Sequence, residues 1–111
     1  MAGVSAHVLN LTTGRPIAGM QVELFDLSTS PPTRLTNNVT NSDGRTDKPM
    51  LAPADTRVGP YELRFHVNAY FKAPDALSDV VPIRFNIFDA AQHYHVPMLC
   101  SPWFFSTYRG S

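Results

Sequence analysis

The chain reads as all-β, a two-sheet sandwich of about eight short strands with one short helix. Three observations predict it. Ten prolines and six glycines punctuate 111 residues, so no segment between them is long. Those segments are rich in β-branched and aromatic residues, the types that suit a pleated, half-buried surface. Two of them, Met20-Gln21-Val22-Glu23-Leu24-Phe25 and Tyr61-Glu62-Leu63-Arg64-Phe65-His66-Val67, alternate apolar and polar side chains. That period of two is the mark of a strand with one face in a core.

In chain order, strands are expected at 6–11, 20–27, 33–40, 44–46, 61–67, 82–88, 93–99 and 104–108. The first is entered at Ala6 and followed by Thr13-Gly14-Arg15-Pro16, which reads as a turn before the next strand. Asn41-Ser42-Asp43-Gly44 ends in an Asp-Gly pair suited to positive φ, and so separates the third strand from the short fourth. Asn68 to Lys72 has a local case for one or two turns of helix, halted by Pro74. With no repeat, low-complexity tract or linker, residues 1–111 are expected to form one domain. Residues 13–22, 40–45 and 59–61 together resemble a prealbumin-type or carboxypeptidase-regulatory-like sandwich, a likeness that specifies fold more than function.

Composition removes several classes of function. Nine basic and nine acidic residues leave a formal net charge of 0, so there is no electrostatic case for nucleic acid or an anionic membrane. No apolar run approaches the ~20 residues of a membrane span. Met1-Ala2-Gly3-Val4-Ser5 has neither a basic n-region nor an h-region, and the chain does not end in Ser-Lys-Leu, so cytoplasm is the expected location. The single cysteine, Cys100, has no partner for an intrachain disulfide and is expected to be a small buried apolar residue.

Chemistry concentrates in the histidines and the C-terminal residues. There are four histidines: His7, His66, His93 and His95. His66 ends an alternating strand and reads as a surface or partly satisfied residue, and His7 taken alone reads the same way. His93 and His95, at i and i+2 on a strand, project from one face. Two adjacent imidazoles are open to three uses: binding a metal, sharing a proton network, or lining an interface. Zinc needs three or four ligands, and no cysteine or acidic third ligand is evident, so no metal is expected. Cys100 falls by alternation on the face opposite the two imidazoles, which argues against a cysteine nucleophile. The terminal Ser106-Thr107-Tyr108-Arg109-Gly110-Ser111 follows the apolar run Trp103-Phe104-Phe105. Such a lead-in predicts a terminus docked on a core or interface, with its polar groups aimed at a specific place.

Four blocks resemble the transthyretin-related family whose enzymes are 5-hydroxyisourate hydrolases, and the likeness spans nearly the whole chain. They are Ala6-His7-Val8-Leu9-Asn10, Asn41-Ser42-Asp43-Gly44-Arg45, the run from His93-Tyr94-His95-Val96-Pro97 to Pro102, and Tyr108-Arg109-Gly110-Ser111. The last two are the specific ones; Asn10 stands where the family usually has Asp. The resemblance implies a transthyretin-like sandwich and a catalytic set of His7, Arg45, His95 and Ser111, with Tyr108 added as a substrate contact. It implies no cofactor, and a homotetramer built as a dimer of dimers with active sites in a channel between subunits.

Those residue types suit the reaction that the resemblance implies. Opening the ring of 5-hydroxyisourate hydrolyses an activated acyl–nitrogen bond. An imidazole with a pKa near 6.5 takes a proton from water and returns it to the leaving nitrogen, typically worth ~10²–10⁴-fold. A guanidinium is always charged and holds substrate oxygens while negative charge develops. Ser111 is expected to orient water or a histidine through its hydroxyl or carboxylate, the bland alternative being a residue docked by an ion pair. No Gly-x-Ser-x-Gly elbow surrounds it, so it is not expected to be a covalent nucleophile. Two rival functions share the fold: a non-catalytic small-ligand-binding protein of the transthyretin type, and a structural sandwich module.

Overall fold

The computed structural model describes residues 2–111. Side chains alternate sharply along β1 (Gly3–Asn10) and β7 (His93–Cys100). Val4, Ala6 and Val8 on the first, and Tyr94, Val96, Met98 and Cys100 on the second, are buried. Their neighbours Ser5, His7, His93 and His95 stand half-buried on the opposite face. The two strands pair in parallel, with Ser5 opposite His95 and His7 opposite Pro97. The odd-numbered positions therefore form one continuous outer surface, since a period of two keeps them on one side of the pleat.

Two sheets of four strands enclose the core. The first runs β2 (Arg15–Pro16), β1, β7, β8 (Phe105–Thr107). The second runs β4 (Thr33–Val39), β3 (Gln21–Asp26), β5 (Gly59–Phe65), β6 (Val81–Ile87), all antiparallel. Val22 and Leu24 from β3, and Tyr61, Leu63 and Phe65 from β5, face Val4, Val8 and Met98 across the sandwich. Each fully buried aliphatic or aromatic side chain contributes about 1.5–3 kcal/mol of burial free energy. This core thus dominates the stability, and the outer face of the first sheet is free to carry polar groups. The expected all-β sandwich with one short helix is the observed fold. The helix, α1 (Val67–Phe71), stops at Lys72, whose φ of 55° takes the left-handed conformation and whose N–H donates to Asn68 O.

Two local expectations need correction. Residues 44–46 do not form a strand; Arg45 alone makes a β-bridge, opposite His7. The reason lies in Gly44, where φ is +75° and the chain turns away after its carbonyl has accepted the Val8 N–H at 2.8 Å. Arg15 and Pro16, read as the end of a turn, instead form the edge strand β2 against Leu9 and Asn10. Asn10 is buried and its Oδ1 accepts from both the N–H and the hydroxyl of Thr12, tightening the hairpin so that pairing begins earlier than expected.

Candidate active site

His95 is the centre of the polar cluster on the outer face of the first sheet. Its Nδ1 lies 2.7 Å from Ser5 Oγ, and the same oxygen lies 2.8 Å from His93 Nε2. His93 Nδ1 in turn lies 3.3 Å from the carbonyl oxygen of Ala2. The parallel register that sets Ser5 opposite His95 and Gly3 opposite His93 makes this line of contacts possible. His7 follows two residues after Ser5 on the same face, and the Arg45 bridge brings the guanidine-bearing residue beside it. Arg45 is exposed and, among the described residues, has no ion-pair partner. A shallow cavity of about 200 Å³ opens beside the cluster, lined by Ser5, Arg45, Asp47 and Lys48 among others but by none of the histidines.

The electrostatics favour a neutral imidazole. Burial, then the Arg45 charge, then His7 and His93, push the His95 pKa below its ordinary value of 6.5. All these causes disfavour the imidazolium, so His95 is held as a proton acceptor at neutral pH.

Two glycines allow the close approaches. A Cβ on Gly44 would lie 3.2 Å from His7 Cδ2 and 2.5 Å from Val8 O. A Cβ on Gly110 would lie 2.6 Å from His95 Cδ2. Gly110 is bridged to His95, donating its N–H to His95 O at 2.8 Å, so the terminal segment runs along the imidazole. Arg109 fastens that segment: its Nη2 donates to Gln92 Oε1 at 2.9 Å and to His93 O at 3.0 Å. Its guanidinium also lies 4.3 Å from the centre of the Tyr94 ring. The C-terminal residues are docked, and exposed Ser111 follows immediately after Gly110.

His7, Arg45, His95 and the segment carrying Ser111 are thus brought to one face. Tyr108 is placed apart from them. It lines a separate cavity of about 220 Å³ with Phe85, Phe88, Tyr94, Val96 and Arg109, on the side of the sheet where the buried β7 residues point. A larger groove of about 560 Å³, beside Asp26, Lys48, Met50 and Arg57, holds none of the predicted site residues. His66 lies just after β5 of the other sheet, at the start of α1, where its Nε2 lies 2.5 Å from Glu23 Oε1. Cys100 is fully buried, and burial pushes its thiol up to about 11, which makes it inert. Among the described residues no three His, Cys, Asp or Glu side chains cluster as metal ligands would. Sequence reading missed Ser5, and it placed Gly44 and Gly110 in its motifs without foreseeing their close approach to His7 and His95. Ser5 was detectable in part, since it shares a face with His7 by alternation, but nothing local pairs it with His95.

The sandwich and the histidine-bearing face of its first sheet define a transthyretin-like protein. The chain belongs to the HIUase/transthyretin family, whose model matches residues 4–110. A 5-hydroxyisourate hydrolase from Deinococcus radiodurans is 46% identical over 114 residues, covering 98% of this chain and 96% of that one. The solved 5-hydroxyisourate hydrolase of Klebsiella pneumoniae is 34% identical with a TM-score of 0.83, covering 100% of this chain and 94% of its own. A solved (S)-allantoin synthase is 37% identical with a TM-score of 0.89 over 98% of this chain, which spans 43% of that longer protein.

Proposed function

We propose that the chain is a 5-hydroxyisourate hydrolase, opening its substrate to 2-oxo-4-hydroxy-4-carboxy-5-ureidoimidazoline in urate degradation. Hydrolases of that name at 40% to 46% identity over nearly the full chain support the activity. The observation that carries the mechanism is His95, an imidazole kept neutral beside an unpaired guanidinium on an open face. His95 accepts a proton from water at Nε2 as the water oxygen bonds to the substrate acyl carbon. Arg45 stabilises the negative charge that develops on the acyl oxygen, and His7 orients the ring from the neighbouring position. The acyl–nitrogen bond then breaks, and the proton held on His95 passes to the leaving nitrogen. Ser111, carried past His95 by Gly110, contributes a hydroxyl that positions the water. The reading needs no cofactor.

The same reading extends to a homotetramer, a dimer of dimers. Strands β6 and β8 are the ends of their sheets, and unpaired edges favour association with another copy. Phe88, Trp103, Phe104 and Phe105, all exposed, lie at or near those edges and supply apolar area to cover. In such an assembly the shallow cavity at Arg45 would be closed by a second copy, deep enough to exclude bulk water.

The experiment is direct. Freshly generated 5-hydroxyisourate is mixed with the protein, and its ultraviolet decay is compared with the spontaneous rate. Decay that accelerates in proportion to protein and saturates with substrate supports the reading; an unchanged rate with a bound ligand marks a non-catalytic binding protein instead.

A further inference from the structure

The line of contacts Ala2–His93–Ser5–His95 has a direction, which the chemistry of its ends imposes. A carbonyl oxygen only accepts, so His93 Nδ1, 3.3 Å from Ala2 O, carries a proton. A neutral imidazole has one N–H, which leaves His93 Nε2 as an acceptor facing Ser5. The Ser5 hydroxyl therefore donates to His93 Nε2 at 2.8 Å. Having spent its proton there, Ser5 Oγ accepts from His95 Nδ1–H at 2.7 Å. His95 is then left with its lone pair on Nε2, next to Cδ2, the ring carbon that abuts Gly110. That is the nitrogen a general base on this face must keep free.

We propose that Ser5 is a positioning residue that, with His93 behind it, fixes His95 in the tautomer whose Nε2 accepts a proton from water. This deepens the hydrolase reading above and rests on it for the identity of the water. The physical need is plain. An unrestrained imidazole populates both tautomers and rotates about its χ2, and only one tautomer in one orientation is a base at the right place. Ser5 restrains both with one oxygen, because a hydroxyl accepts and donates at once. It also stabilises the imidazolium that forms during turnover, since His95 Nδ1–H continues to donate to Oγ while Nε2 holds the proton. The arrangement is the logic of an orienting group behind a catalytic histidine, with a hydroxyl–imidazole pair in place of a carboxylate.

Neither metal binding nor interface lining uses the pair in this way. Both His nitrogens that face each other are committed to Ser5, so His93 and His95 do not converge on a common empty point. The register explains why the bridging group must come from β1. Side chains at i and i+2 on β7 run alongside each other, and a residue directly opposite on the adjacent parallel strand reaches between them.

Two measurements test the proposal on the full-length protein. Long-range ¹H–¹⁵N correlation spectra of the wild type at neutral pH report which nitrogen of His95 carries the proton, without any substrate. Protonated Nδ1 and bare Nε2 are expected; a proton on Nε2 would overturn the proposal. Ser5→Ala removes the hydroxyl from a half-buried outer position and so leaves the core intact. It is expected to mix the His95 tautomers and lower kcat about 10–100-fold with KM changed less than about twofold, the usual scale for an orienting partner. Ser5→Thr, which keeps the hydroxyl and suits a strand, is expected to recover most of the loss. A Ser5→Ala protein with an unmixed His95 tautomer and wild-type kcat would sink the idea. Should the wild type leave 5-hydroxyisourate untouched while Ser5→Ala still mixes the tautomers, the substrate assignment fails and the positioning role stands.

Discussion

The His95 imidazole and Gly110 are in contact that leaves no room for a side chain: a Cβ at 110 would sit 2.6 Å from His95 Cδ2 and 3.1 Å from Pro97 Cγ. The backbone of the terminal segment is thus one wall of the histidine's position, and the Gly110 N–H donates to His95 O to hold it there. Gly110→Ala must push either the ring or the segment by several tenths of an ångström or more. Turnover is expected to fall about 10²-fold, the cost typical of a ~1 Å misplacement at a reacting centre, with little change in Tm. Steady-state kinetics and a thermal melt on the same preparation check it.

An alanine series separates the two groups of histidines. His7→Ala, Arg45→Ala and His95→Ala are each expected to lose most activity while the fold persists, since none of these side chains lies in the core. For His95→Ala the loss should be ~10²-fold or more, the scale of general-base catalysis, and retention of more than about a tenth of wild-type kcat would remove His95 from that role. His66→Ala leaves the outer face of the other sheet with Glu23 short of one partner. Its kcat per folded molecule should match wild type, while Tm falls by about 4 °C, because the hydrogen bond to a charged carboxylate on this partly exposed pair is worth about 1 kcal/mol.

The acid limb of the pH profile tests His95 as the base. Its pKa lies below 6.5 in the folded protein, so it remains a base as pH drops through the range where an ordinary histidine becomes charged. The limb of kcat/KM is expected below pH 6.5. Removing the neighbouring cation with Arg45→Met should move it upward, because imidazolium then forms more easily. A limb that stayed in place would show that burial and the neighbouring imidazoles, rather than Arg45, set the shift. The same depressed pKa makes stability pH-dependent: below 6.5 the unfolded chain binds a proton that native His95 refuses. This group's contribution therefore falls as pH drops from 6.5 toward its folded pKa, and urea midpoints across that window measure it.

Much of this architecture is legible one strand at a time. The alternation in Tyr61 to Phe65 declares a strand with one buried face, and His93 and His95 share a side because i and i+2 must. What alternation cannot reveal is which strands lie together. The contact of Ser5 with His95 depends on β1 and β7 pairing in parallel across 90 positions of sequence. No local signal encodes that register. Arg45 was expected on a strand and is instead held by a single bridge, because Gly44 turns the chain after one hydrogen bond. Tyr108 shares the terminal motif with Gly110 and Ser111, yet the structure places it with Arg109, Tyr94 and Val96 around a separate cavity. A sequence motif groups neighbours, but the fold decides which of them reach the histidines.

The terminal segment offers a last separation, between what holds Ser111 in place and what Ser111 does. Arg109 contributes two hydrogen bonds, to Gln92 and His93 O, and lies over the Tyr94 ring. On an exposed residue these sum to about 1–2 kcal/mol. Arg109→Ala is therefore expected to lower both Tm and kcat, since the segment that walls His95 and carries Ser111 loses its anchor. Ser111→Ala removes one exposed hydroxyl and leaves the anchor and Gly110 untouched. Its Tm should stay within about a degree of wild type while kcat drops about tenfold or more, the share of a group that orients the attacking water. Deleting Ser111 should do at least as much. If Ser111→Ala instead turned over at the wild-type rate and the deletion cost only stability, the terminal serine would be a packing residue, and water would have to be positioned by His7 or Arg45.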